Sequence, residues 1–194
     1  TLSALKKKRG MMKYVGKHDL LLHYPYYSFD HFIDFLLEAV HDRTVEEIMI
    51  TQYRVAQHSE VINTLIAAAQ NGKKVTVFVE LKARFDEENN LATAELMQKA
   101  GIRIVYSIPG LKVHAKVALI LRQNKEGKGK KSFAYISTGN FNEKTATVYA
   151  DSALVTSNPE IVNDLHSLFR YLCQEVEAPQ FKHLLVARFN LLPR

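Results

Sequence analysis

"KKVTVFVEL", residues 73–81, is a nearly unbroken run of β-branched and aromatic residues behind two lysines. Such residues favour extended backbone, where their side chains pack on a pleated surface. A strand with one wet face alternates apolar and polar residues. This one stays apolar through its middle, which predicts a strand buried on both faces.

Working outward, helices flank this strand. Ser59 is placed to cap a helix running through Ile62, Leu65 and Ile66 and ending at Asn71-Gly72. Before it, "TVEEIMITQYRV" reads as a strand centred on residues 48–52. Ser28 is placed to cap an amphipathic stretch, about residues 29–42, with Phe32, Phe35, Leu36 and Ala39 on one face. Downstream, "NNLATAELMQKAG" predicts a third helix closed by Gly101, and "IRIVYSI" and "VHAKVALILR" predict strands. After a basic glycine loop, "QNKEGKGKK", come the strands "SFAYIST" and "YADSALVTS". Asn158-Pro159 then opens a long helix, with proline at the tolerated first position. Strands alternating with helices at this spacing predict an α/β layered fold, with a mixed, largely parallel central sheet flanked by helices. The early strands should be parallel with helical crossovers, and the later ones an antiparallel addition.

The 194 residues fit one domain, and a 47% hydrophobic content can fill its core. A single cysteine, Cys173, excludes an internal disulfide framework and fits a reducing compartment. No apolar run approaches the roughly 20 residues that span a bilayer. The basic first 17 residues lack the apolar centre of a signal peptide, and the chain opens on Thr1, as a fragment or processed product would. The net charge of +6 favours polyanionic partners: nucleic acid, anionic lipid or phosphate-rich small molecules.

Within "VHAKVALILR", His114 and Lys116 are two residues apart, so on a strand they share a face. A histidine on a strand is often structural, but lysine is rarely buried without a partner. If the strand is central, the ammonium must face a cleft or an anion. It could hold a phosphate there while a neutral imidazole attacks phosphorus. Ser137-Thr138-Gly139-Asn140 follows a strand: the glycine allows close approach to an anion and the asparagine can donate to it, although an ordinary turn has the same composition. Arg54 and Arg84 follow the predicted strand ends where open α/β sheets gather ligands, and could clamp phosphates or pair with nearby acids. Asp86-Glu87-Glu88 reads better as a charged loop than as a magnesium site. Tyr26 and Tyr27 read better as packing at a helix start than as base-stacking residues.

His114-x-Lys116 with the downstream Asn140 resembles the H-x-K…N motif of the phospholipase D superfamily. Leu121 stands where that superfamily usually has aspartate. The phrases "YRVA", "NGKKVTVFVELKARFDEENN", "PGLKVHAK" and "STGNFNEKTA", with "HYPYYSFDHFIDFL" ahead of them, resemble the first phospholipase-D-like C-terminal domain of the type 1 polyphosphate kinase family.

The resemblance implies reversible transfer of the terminal phosphate of ATP to polyphosphate through a phosphohistidine. His114 matches the phosphorylated histidine. Lys116 and Asn140 match residues that steady the transferring group. Arg54 and Arg84 match two arginines beside the magnesium-bound phosphates. An arginine has no lone pair for a metal, so Mg²⁺ would sit on phosphate oxygens and water near Arg54 and Arg84. Tyr149 matches a tyrosine near the nucleotide. Tyr135 stands where many relatives have histidine.

The resemblance divides the chain into a basic lead-in, 1–22, a phosphotransferase domain, 23–178, and a linker, 179–194, toward a following domain. A second histidine and parts of the nucleotide pocket would come from other domains of the same polypeptide, leaving half an active site here. Expected partners are ATP or ADP, inorganic polyphosphate, those other domains and copies of the whole enzyme, with no specific nucleic acid. The expected location is cytoplasmic, with peripheral membrane association open to the whole enzyme. Two alternatives stand beside this reading: a phospholipase-D-like nuclease or lipase, and a non-enzymatic polyanion-binding module. The long phrases argue against the first. No recognised nucleic-acid motif supports the second.

Overall fold

The computed structural model describes residues 10–53, 59–80, 87–107, 110–123 and 131–191. In chain order the elements are α1 (Met11–Val15), β1 (Leu20–Tyr24), α2 (Asp30–His41), β2 (Val45–Gln52), α3 (Glu60–Gln70), β3 (Lys74–Val79), α4 (Glu87–Lys99), β4 (Arg103–Tyr106), β5 (Lys116–Arg122), β6 (Phe133–Ser137), β7 (Asp151–Thr156) and α5 (Pro159–Leu172). The seven strands form one sheet in the order β1-β7-β6-β5-β2-β3-β4.

The mixed sheet flanked by helices is the expected architecture, but its balance differs. Only β2–β3 and β3–β4 pair in parallel; β2–β5, β5–β6, β6–β7 and β7–β1 are antiparallel. The helical crossovers α3 and α4 run out after β4. From β5 onward the sheet grows on the other side of β2 through strands of alternating direction. β3 is buried from Val75 to Val79, as its unbroken apolar run predicts.

The two faces of the sheet carry different layers. Ile48, Ile50, Val77, Ala118, Ile120, Phe133 and Tyr135 join a large core with Phe32, Phe35 and Leu36 of α2 and Val61 and Leu65 of α3. Met49, Phe78, Val117, Leu119 and Ala134 pack on the opposite face against Leu165, Leu168 and Phe169 of α5. Each fully buried apolar side chain of this size contributes about 1.5–3 kcal/mol. Along β5, even-numbered residues therefore face α2 and α3, and odd-numbered ones face α5. That alternation puts Leu121, at the position where the superfamily usually has aspartate, against the α5 cluster.

Ser28 does not cap α2, whose cap position is Phe29 with no side-chain cap bond, but the other marked helix ends follow their sequence signals. The Ser59 hydroxyl accepts from the Ile62 N–H, and Oδ1 of Asn158 accepts from the Glu160 and Ile161 N–H groups. Gly72 and Gly101 take left-handed backbone, with φ of 79° and 86°, just past α3 and α4.

The described segments on either side of the expected domain boundaries pack on the sheet layers. Met11, Met12 and Val15 of α1 are buried in the large core, and β1 pairs with β7. Carboxylate oxygens of Glu38 accept from the Met11 and Met12 N–H groups, which ties α1 to α2. The stretch read as a linker lies back on α5: Phe181, Leu184 and Val186 pack on its cluster. Tyr26, read as packing, is 87% exposed, while Tyr27 does pack against the core.

Asp164 of α5 holds the C-terminal stretch in place. Its carboxylate accepts from the N–H groups of Lys182, His183 and Leu184, at 2.9, 2.7 and 2.9 Å. Burial alone would raise its pKa. The three N–H donors and the nearby His183 together outweigh burial and hold it below the ordinary aspartate value. The ionised form is the bonded form. Its stabilising contribution is therefore complete above the unfolded-state pKa and is lost as pH falls through the lowered folded-state value. Asp164→Ala should cost about 1–3 kcal/mol and expose residues 181–191 first. Amide exchange would read this as lost protection at 182–184 with β2–β3 still protected. Unchanged exchange at those amides would refute it.

Candidate active site

The candidate site is at the start of β5. His114 lies just before the strand rather than in it, because the β5–β6 ladder begins at Lys116. The premise of two residues on one strand face therefore fails, yet the pair still meets. Nζ of Lys116 is 3.0 Å from each ring nitrogen of His114 and donates to the His114 carbonyl at 2.7 Å. Equal distances to both ring nitrogens set the ammonium over the ring face, clear of the in-plane lone pair that a nucleophilic imidazole would use. Lys116 is only 4% exposed. A cation this buried needs electronegative partners, and the local loop supplies them.

Neighbouring strands fix this loop. Oγ1 of Thr51, on β2, donates to the Ala115 carbonyl at 2.8 Å and accepts from the Val117 N–H at 3.1 Å. Lys116 is thus clasped on both sides of its backbone. Glu80, directly after β3 and 1% exposed, accepts from the Val113 N–H at 3.0 Å. Tyr53, directly after β2, meets the His114 ring edge-to-face at 5.2 Å, and its face is 5.2 Å from the Lys116 ammonium. Thr51, Tyr53 and Glu80 were not picked out from the sequence as site residues. The one available signal was for Glu80, a carboxylate closing the most apolar strand.

Asn140 sits in the turn after β6, whose Ser137 pairs with Lys116. Its Oδ1 is buried with no hydrogen-bond partner among the described residues. The turn needs Gly139: a Cβ there would lie 2.5 Å from Oδ2 and 2.9 Å from Cβ of Asp151. Because even the Asp151 Cβ is too close, side-chain rotation could not relieve the contact. Thr138 donates to Asp151 at 2.7 Å, which tethers the turn to β7. Oε1 of Glu143 accepts from the Ser59 hydroxyl and the Val61 N–H, at 2.8 and 3.0 Å, joining the turn to the start of α3.

Tyr149 follows a 3-10 turn, Thr145–Thr147, and is 61% exposed. Tyr135 is fully buried and shares a 2.6 Å hydroxyl hydrogen bond with Tyr24. Burial is the main reason both phenols titrate high, Tyr24 at about 12. Tyr135 is thus a core residue here. Arg54, Arg84 and Asp86 lie outside the described residues. Among the described residues, no three His, Cys, Asp or Glu side chains are grouped to hold a metal, and no helix is long and apolar enough to cross a membrane.

The sheet order and layers match a phospholipase-D-like fold. A phospholipase D family member, Nuc from Salmonella typhimurium, superposes with a TM-score of 0.64 over 85% of this chain and 99% of its own, at 16% identity. The family model for polyphosphate kinase C-terminal domain 1 matches residues 10–178, and the chain belongs to that family. The polyphosphate kinase of Vibrio vulnificus is 42% identical over 176 residues, covering 91% of this chain and 25% of that protein. That of Salmonella typhimurium is 44% identical over 185 residues, covering 95% and 27%. The crystal structure of polyphosphate kinase from Porphyromonas gingivalis has a TM-score of 0.88 at 52% identity, covering 98% of this chain and 32% of its own. The chain thus spans about a quarter of the length of the curated relatives it matches.

Proposed function

We propose that this domain carries half of the active site of a polyphosphate kinase, which moves the terminal phosphate of ATP reversibly onto polyphosphate through phosphohistidine 114. The observation that carries the proposal is the contact between the His114 ring and the Lys116 ammonium, at 3.0 Å, in a chain of this family. A ring nitrogen attacks the γ-phosphorus with its lone pair. The bond from that phosphorus to the bridging oxygen breaks, and ADP leaves with the electron pair. A terminal oxygen of polyphosphate then attacks the same phosphorus, the N–P bond breaks, and the ring recovers its lone pair. Lys116 moves from the ring to the phosphoryl oxygens, where charge spreads in the transition state. Asn140 donates to the same group, Arg54 and Arg84 clamp the phosphates, and Tyr149 lies toward the nucleotide. Mg²⁺, when bound, neutralises phosphate charge. An arginine has no lone pair for a metal, so Mg²⁺ near Arg54 and Arg84 would be held through phosphate oxygens and water. Other domains of the polypeptide would supply the second acid–base histidine, the rest of the nucleotide pocket and any contacts between copies. The reaction's setting would be cytoplasmic.

The test is labelling of the full-length polypeptide with ATP carrying a radioactive γ-phosphate. Acid-labile, base-stable label should appear and should be absent in His114→Ala, together with polyphosphate synthesis. The isolated domain should turn over poorly. Label and synthesis surviving His114→Ala would overturn the mechanism. Robust synthesis by the isolated domain would overturn the half-site reading.

A further inference from the structure

Gln52 is 1% exposed, yet neither the nitrogen nor the oxygen of its amide has a hydrogen-bond partner among the described residues. Ile48 and Ile50 of β2 enter the large core, and Gln52 continues that face at the strand's last position. The antiparallel register pairs β2 with β5 as far as Ile50 against Ala118, and its continuation by two residues on each strand leads to Gln52 and Lys116. On the other side of Lys116, β6 leads into the turn that holds the orphaned Oδ1 of Asn140. The two buried amides with unused hydrogen-bonding capacity thus lie on β2 and just after β6, the two strands that neighbour β5. A methionine or leucine would fill the Gln52 site without stranding any polar atom, so folding alone gives no reason for an amide there.

We propose that Gln52 is a further phosphate-binding residue: its amide N–H donates to an oxygen of the phosphoryl group held between His114 and Lys116, and its amide oxygen accepts from the Lys116 ammonium. One planar carboxamide can make both bonds at once. The ligand chemistry is a terminal phosphoryl group, which ATP and polyphosphate share. The inference rests on the phosphotransfer reading of His114.

The experiment compares Gln52→Met with the unmodified full-length polypeptide. It measures thermal unfolding without ligand and the rate of His114 phosphorylation from Mg-ATP alone and from polyphosphate alone. The ligand-free melting temperature should hold or rise, because an unpaired buried amide is removed. Both rates should fall about tenfold or more, the loss expected for one hydrogen bond to a charged group. Normal rates would overturn the proposal. So would a fall confined to one phosphate donor, or one that tracks a lower ligand-free melting temperature. If the unmodified polypeptide forms no phosphohistidine, the parent reading fails and takes this one with it. Normal labelling in Gln52→Met removes this one alone.

Discussion

Lys116→Met should lower the rate of His114 phosphorylation by about 10²–10³ while leaving the fold intact. The size follows from Coulomb's law. An ammonium about 4 Å from a unit charge contributes about 4 kcal/mol at an effective dielectric of 20. At 1.36 kcal/mol per decade, that is about 10³ in rate. The stability side has the opposite sign. Lys116 is 4% exposed, and methionine has a similar length without a charge to desolvate. The melting temperature should therefore hold or rise. Arginine should not restore the rate, because its planar fork does not fit a site shaped around one ammonium donating to the His114 carbonyl at 2.7 Å. Stopped-flow or quench-flow labelling of the full-length polypeptide gives the rate, and calorimetry gives the stability. A parallel loss of both would make Lys116 a structural residue.

The sequence revealed the local features and hid those set by distant pairing. Ser59, Asn158, Gly72 and Gly101 mark helix ends through chemistry within a few residues, and the structure places them there. α1 and β1 were hidden for different reasons. Met11, Met12 and Val15 are interrupted by Lys13 and follow a basic run, so their apolar face is too short to stand out. β1 owes its place to pairing with β7, from Leu20 opposite Val155 to Tyr24 opposite Asp151. Nothing near residue 20 encodes that partner.

The site divides in the same way. His114, Lys116 and Asn140 form a motif that can be read along the chain. Thr51, Gln52, Tyr53 and Glu80 look like ordinary strand-end residues until the register brings β2 and β3 alongside the start of β5. Alternation in "VHAKVALILR" also runs three residues too far: apolar spacing continues through Val113 and Ala115, but ladder pairing starts only at Lys116.

Glu80 shows how a residue outside the motif can govern it, and its substitution should have the second large effect. Its buried carboxylate accepts from the Val113 N–H at 3.0 Å, one residue before His114. Residues 111–115 have no ladder of their own, so this bond and the Thr51 bond to the Ala115 carbonyl bracket the histidine. Glu80→Leu would leave the part-buried Val113 N–H without its acceptor, at a cost of about 1 kcal/mol. It would also free the loop, and a displacement of about 1 Å at a reacting group can cost about 10² in rate. Glu80→Gln keeps an acceptor oxygen in nearly the same place, so it should recover most of the rate if the role is positional. The decisive readout is His114 phosphorylation in the Leu and Gln variants at a temperature where both are folded. A slow Leu variant with a near-normal Gln variant makes Glu80 a positioning residue acting through the backbone. Equal loss in both would mean that its negative charge matters. A Leu variant at full rate would mean that Thr51 and the Lys116 bond to the His114 carbonyl hold the histidine without it.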